Sequence, residues 1–203
     1  MLMKNSKFFK ALGFVVIVLI LSAAFTGCET ESHDVSGQYA GIEAKAPANQ
    51  VDILLFNDFH GNVAEDTRPG KGKNAGMAKM IGYVRTAGME NPNTIVVAGG
   101  DNYQGTAISN LTYGAPVSAM MRAMDVKVCA VGNHEFDWGS NRMTKWQKDG
   151  NFTFLAANIV EKKTGKPVSW AKPYAIIKKG NYKIAFIGLA HPDTAVLTSA
   201  EHV

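Results

Sequence analysis

Two cysteines among 203 residues leave no scope for a disulfide framework, so the folded part has to be held by apolar packing. One of them, Cys129, lies inside the apolar run Val126–Val131, where a buried and unreactive thiol is the expected state. Long hydrophobic runs are also scarce: the stretch from Ala11 to Leu21 is shorter than a membrane-spanning helix requires. Charge of one sign is not concentrated. The formal net charge is +4, and setting Lys4, Lys7 and Lys10 aside reduces 21 basic residues to about 18, against 17 acidic ones. That balance carries no electrostatic footprint of nucleic-acid polymer binding. No repeat or low-complexity tract breaks the chain, and with 46% hydrophobic residues it can build one ordinary domain.

The N-terminus has the order of a secretory signal. Three lysines come first, Ala11–Leu21 follows, and small residues precede Cys28, with no acidic residue before Glu29. Phe25-Thr26-Gly27-Cys28 resembles the cleavage box of bacterial lipoproteins, with phenylalanine where that pattern prefers leucine. The expectation is a signal peptide over residues 1–27, lipid on Cys28, a flexible linker over 28–50 and a domain over 51–203. A plain signal peptide or an uncleaved anchor are the alternatives. Each places the domain outside the cytoplasmic membrane, as a bacterial cell-surface or periplasmic protein, and lipidation would tether it to the membrane.

From residue 51 the pattern alternates. Strands are expected at Val51–Phe56, Thr94–Ala98, Val126–Val131 and Phe152–Ala156, with helices at Ala75–Met89, Ala115–Met124 and Ser140–Lys148. Alternation of this kind predicts βαβ units and a largely parallel sheet. Tyr174–Lys178 and Tyr182–Gly188, joined by Lys179-Gly180-Asn181, read instead as a hairpin. The fold class is therefore α/β, with a mixed sheet or the start of a second one.

Three of the strands run straight into polar clusters: Asn57-Asp58-Phe59-His60-Gly61, Gly99-Gly100-Asp101-Asn102, and Gly132-Asn133-His134-Glu135-Phe136-Asp137. Open α/β sheets collect ligands at the carboxyl ends of their strands. Asp58 and His60, two apart, share a side if the strand persists that far and then form a potential metal corner; surface polar residues are the plain alternative. Asp101, between glycines, is a candidate to bridge two metals, or a simple turn aspartate. Asn133 offers an amide oxygen as a ligand. Asp137 can orient the His134 ring, which could then steady developing charge or protonate a leaving oxygen. A bridged metal pair suits the activation of water and in-line phosphoryl displacement.

Phe56–Gly61, Gly99–Gly105 and Gly132–Asp137 together resemble the first three motifs of the calcineurin-like metallophosphoesterases. The branch is the secreted 5'-nucleotidase family, which includes UDP-sugar hydrolases and 2',3'-cyclic phosphodiesterases. Ala75-Gly76-Met77-Ala78 is similar to the Gly-Gly-Leu-Ala segment that follows its first motif. The resemblance implies a four-layer α/β/β/α sandwich, incomplete at the C-terminus, and hydrolysis of small phosphoesters, nucleotides above all. It implies two divalent metal ions, zinc, manganese or similar: Asp58 and His60 on the first, Asp101 bridging, Asn133 on the second, with His134 and Asp137 as the catalytic pair. Glu135 and Phe136 are expected only to support the loop.

The family's remaining ligands, a histidine and a later His-x-His or His-x-Gln pair, have no counterpart in this sequence, so the second metal site is expected to be incomplete. The C-terminal domain that selects the nucleobase has no counterpart either. His191 matches a non-ligand segment of the family, and His202 is one residue from the last. Against the enzyme reading stands a catalytically inactive surface lipoprotein that binds a metal or phosphate weakly. A structural lipoprotein with chance motifs is the third possibility.

Overall fold

A computed structural model describes residues 17–21, 49–69 and 74–198. Cys28, the expected linker up to residue 48 and His202 lie outside the described residues. Four parallel strands, β2 (Ile53–Phe56), β3 (Ile95–Ala98), β4 (Val126–Ala130) and β5 (Thr153–Leu155), form one sheet in the order β2-β3-β4-β5. Their connections carry α1 (Gly76–Glu90), α2 (Ala107–Leu111), α3 (Ala115–Ala123) and α4 (Asn141–Gly150). Consecutive strands thus lie side by side, as crossover units require.

The helical face of this sheet holds the larger core. Val96, Ala98, Cys129 and Phe154 meet Val117, Met120 and Met121 of α3 and Met143 and Trp146 of α4. Trp146 stacks on Tyr103 with ring centroids 4.0 Å apart, which ties α4 to the loop after β3. Pro116 sits in the first turn of α3, where a missing N–H costs nothing.

The opposite face packs on a second sheet. Here β6 (Tyr174–Lys179) and β7 (Tyr182–Leu189) form the expected antiparallel hairpin, with Gly180 at φ +54° in its turn. Ile95, Val97, Val128, Ala130 and Leu155 from the first sheet meet Ile184 and Phe186 of β7 between the two. Gly188 passes so close to Leu155 that a Cβ would lie 2.3 Å from its carbonyl oxygen. Three layers, α/β/β, are therefore formed among the described residues. Tyr174 and Ile176, on the far face of β6, remain exposed.

The other neighbour of β7 is β1 (Ile17–Leu21), which runs parallel to it with Ile17 opposite Ala185 and Leu21 opposite Leu189. This is the one described part of the expected signal segment. A short apolar β-branched run suits an export signal, and it equally suits the open edge of a sheet. No described helix is long and apolar enough to cross a membrane.

Candidate metal centre

Because β2, β3 and β4 are parallel neighbours, their carboxyl ends open side by side and their loops interlock through backbone bonds. Asp58 N–H donates to Gly100 C=O (3.0 Å), His60 N–H to Asp101 C=O (3.0 Å) and Gly61 N–H to Asn102 C=O (2.9 Å). The approach is close: a Cβ on Gly100 would lie 2.6 Å from Gly132 N, and one on Gly105 would lie 2.3 Å from His60 C=O.

Asp58 (φ +53°), His60 (φ +47°) and Asp101 (φ +54°) all take the left-handed backbone conformation. For residues with a side chain this conformation is uncommon, and it recurs where a site over-determines the backbone. These three residues also converge, each offering a ligand atom within 4.8 Å of the others. The proton on the His60 ring is assigned by its partner. Nδ1 lies 2.9 Å from Gln104 C=O, which can only accept, so Nδ1 carries the hydrogen and the Nε2 lone pair faces Asp58 Oδ1 at 3.8 Å.

Asp101 is buried, and burial raises its carboxyl above the usual range. The His134 N–H bond to its Oδ1 (2.9 Å) and the His134 ring charge pull the other way, while the Asp58 charge adds to the rise. Two carboxylates and a free imidazole nitrogen form a donor set suited to a divalent cation, whose charge would offset their crowding.

The third loop supplies the rest. Its His134–Phe136 segment is a single 3-10 turn with no sequence signature. His134 Nδ1 lies 2.7 Å from Asp137 Oδ2, and its ring meets the His60 ring edge-on at a centroid distance of 5.0 Å. Burial disfavours the charged ring, but the Asp137 bond and the Asp101, Asp137 and Glu135 charges outweigh it, and the net shift is upward. Asn133 Nδ2 donates to Leu197 C=O (3.0 Å), leaving Oδ1 as its available lone-pair atom. His191 instead accepts from its own neighbour Asp193 N–H at 3.1 Å; it is not part of the convergent group.

The calcineurin-like phosphoesterase family model matches residues 51–193, the whole span of these loops. The chain belongs to that family. Among curated relatives, a 5'-nucleotidase of Vibrio parahaemolyticus is 33% identical over 76% of the chain and 27% of its own length. Protein UshA of Escherichia coli is 31% identical over 75% of the chain and 28% of its own length. A 5'-nucleotidase precursor from Thermus thermophilus superposes with a TM-score of 0.62 at 27% identity, over 71% of this chain and 29% of that one. The chain therefore spans less than a third of the length of these relatives.

Two further residues support the centre, one inside the third motif and one far from it. Glu135, expected only to support its loop, is completely buried and binds two loops together. Its Oε2 accepts the N–H groups of Asp101 (2.8 Å) and Gly132 (2.7 Å), and Oε1 accepts that of Asn102 (2.9 Å). Consecutive N–H groups converging on an anion form a nest. Here the anion is the protein's own, and it fixes Asp101 from behind. Burial, with the Asp101 charge adding, pushes the Glu135 carboxyl up to about 7 despite these bonds. The second is Thr198, whose hydroxyl donates to Asp137 Oδ1 (2.5 Å) from 61 residues away.

Proposed function

We propose that this chain is the N-terminal part of a metal-dependent phosphoester hydrolase that acts on extracellular nucleotides. The observation that carries this reading is the convergence of Asp58, His60 and Asp101 beside the His134–Asp137 pair. Asp58 and His60 are assigned to a first divalent ion, Asp101 to the bridge and Asn133 to a second ion. Ions held there would supply Lewis-acid charge to the phosphoryl oxygens and the attacking water. The chain's own residues do the remaining work. The left-handed backbone at Asp58, His60 and Asp101 aims their side chains at one point before any ligand arrives, and Gln104 C=O keeps the His60 lone pair on Nε2. Asp137 holds His134 by Nδ1, so Nε2 is the nitrogen left to donate a proton to the phosphoryl or departing oxygen. The upward shift of His134 keeps more of the ring charged near neutral pH, the form that can donate.

Titration of the purified chain with Zn²⁺ or Mn²⁺, followed by AMP hydrolysis, tests the reading. One tight metal equivalent is expected, weakened by Asp58→Asn or His60→Ala. Turnover is expected to rise strongly in a version extended by the family's downstream histidine ligands, because among the described residues the second ion is assigned Asp101 and Asn133. His134→Ala in that version should reduce turnover more than metal content. Absence of metal binding, or equal AMP hydrolysis with and without the extension, would overturn it. The one three-ligand group among the described residues, Asp58, His60 and Asp101, also fits a second reading, a non-catalytic protein that binds one ion; a chain that loads metal yet stays inert when extended is its signature. Export of the domain and lipidation of Cys28 are proposed on the N-terminal pattern alone, and mass analysis of the mature N-terminus tests them.

A further inference from the structure

Asn133 and Asp137 are each restrained by the same distant segment. After β7 the chain is pinned by a reciprocal pair, Ala190 N–H to Asn158 Oδ1 (2.9 Å) and Asn158 Nδ2 to Ala190 C=O (2.7 Å). Buried Thr194 then turns it, its hydroxyl and its N–H both donating to His191 C=O at 2.7 and 3.1 Å. Val196 and Leu197 N–H close the short helix α5 (Thr194–Leu197) on Asp193 C=O, at 2.9 and 3.2 Å. The segment thus reaches the third loop already braced, and there it presents one acceptor, Leu197 C=O, and one donor, Thr198 Oγ1.

Each end of that pair resolves an ambiguity the loop cannot resolve alone. The terminal torsions of Asn and Asp side chains are broad and nearly two-fold. A flip of Asn133 would set its Oδ1 against Leu197 C=O, two acceptors face to face, so Nδ2 is held on the carbonyl and Oδ1 is kept for a ligand. Asp137 is gripped at both oxygens, His134 Nδ1 on Oδ2 and Thr198 Oγ1 on Oδ1, which stops rotation of its carboxylate away from the imidazole.

We propose that Thr194–Thr198 is a positioning strap for the centre, with Thr198 a positioning residue that locks the Asp137–His134 pair. Its catalytic meaning rests on the function proposed above, but the lock itself is testable without turnover. The probe is the His134 Nδ1–H resonance of the metal-free chain, with its exchange rate against water. In the wild type it should be resolved and protected. Thr198→Val, which keeps the shape and removes the donor, should accelerate exchange by about tenfold or more, the factor that one hydrogen bond to a charged group represents. Thr198→Ser should restore protection. Zn²⁺ binding at Asp58, His60 and Asp101 should change by less than about twofold in either variant. The proposal is overturned if Thr198→Val leaves exchange unchanged, if serine does not rescue, if the wild-type resonance is unprotected, or if Zn²⁺ binding falls in parallel, which would mark a general folding role. Failure of the chain to bind metal or cleave AMP would refute the enzyme reading and leave the exchange comparison standing.

Discussion

Glu135→Ala would remove the acceptor that the Asp101, Asn102 and Gly132 N–H groups share. Each buried donor left without a partner costs roughly 1–3 kcal/mol, and three of them give about 3–9 kcal/mol. The burial cost of the carboxylate itself is relieved at the same time, which places the net loss near the lower end, about 3–5 kcal/mol. Against a total stability of about 5–15 kcal/mol that is a large fraction. Glu135→Gln keeps the shape and one acceptor oxygen but turns an NH₂ group toward a backbone donor, so a loss of about 2–4 kcal/mol is expected. Urea unfolding of the metal-free chain, followed by tryptophan fluorescence, measures it, since Trp146 is buried against Tyr103. The pH dependence is a second readout. The folded chain holds the Glu135 proton to about pH 7, whereas the unfolded chain releases it near 4.5. Between those values the folded state binds the extra proton, so the stability present at low pH is lost as pH rises through the window. Asp101, also raised by burial, acts in the same direction. Glu135→Gln should flatten the slope. A glutamine variant within about 0.5 kcal/mol of wild type, with an unaltered pH profile, would refute the argument that this carboxylate ties the loops.

Gly132→Ala should cost about 1–3 kcal/mol by urea unfolding and weaken metal binding, because its Cβ would lie 2.2 Å from Asp101 Oδ1 and 2.5 Å from Asp101 N. Cys129 is fully buried and burial pushes its thiol up, so a thiol reagent should leave it unlabelled until denaturant is added. Zn²⁺ at a hundredfold excess over its dissociation constant should stabilise the chain by about 2.7 kcal/mol. EDTA, or Asp58→Asn combined with His60→Ala, should abolish that gain in a thermal melt.

Where burial follows periodicity the elements could be anticipated. The runs at Val51, Thr94, Val126 and Phe152 become the four parallel strands, and Pro116 marks the start of its helix within a residue. Short helical elements were not legible. Ala107–Leu111 and the turn His134–Phe136 are five and three residues long, below any reliable helical period. Ile17–Leu21 shows the ambiguity of apolar runs, which suit a targeting segment and a strand edge equally well.

The residue types in the three loops, their order and their spacing are properties of the sequence, and they alone determine the family and which side chains can bind a cation or move a proton. Their convergence is a property of the fold. Parallel strands place three chain-distant loops side by side, and backbone bonds hold Asp58, His60 and Asp101 in a conformation that local preference opposes. The roles of Glu135 and Thr198 belong to the fold as well: a carboxylate becomes a latch when it is buried among unpaired N–H groups, and a hydroxyl becomes a lock when a distant turn brings it to Asp137. Both depend on contacts between residues far apart in the chain, which no local pattern encodes.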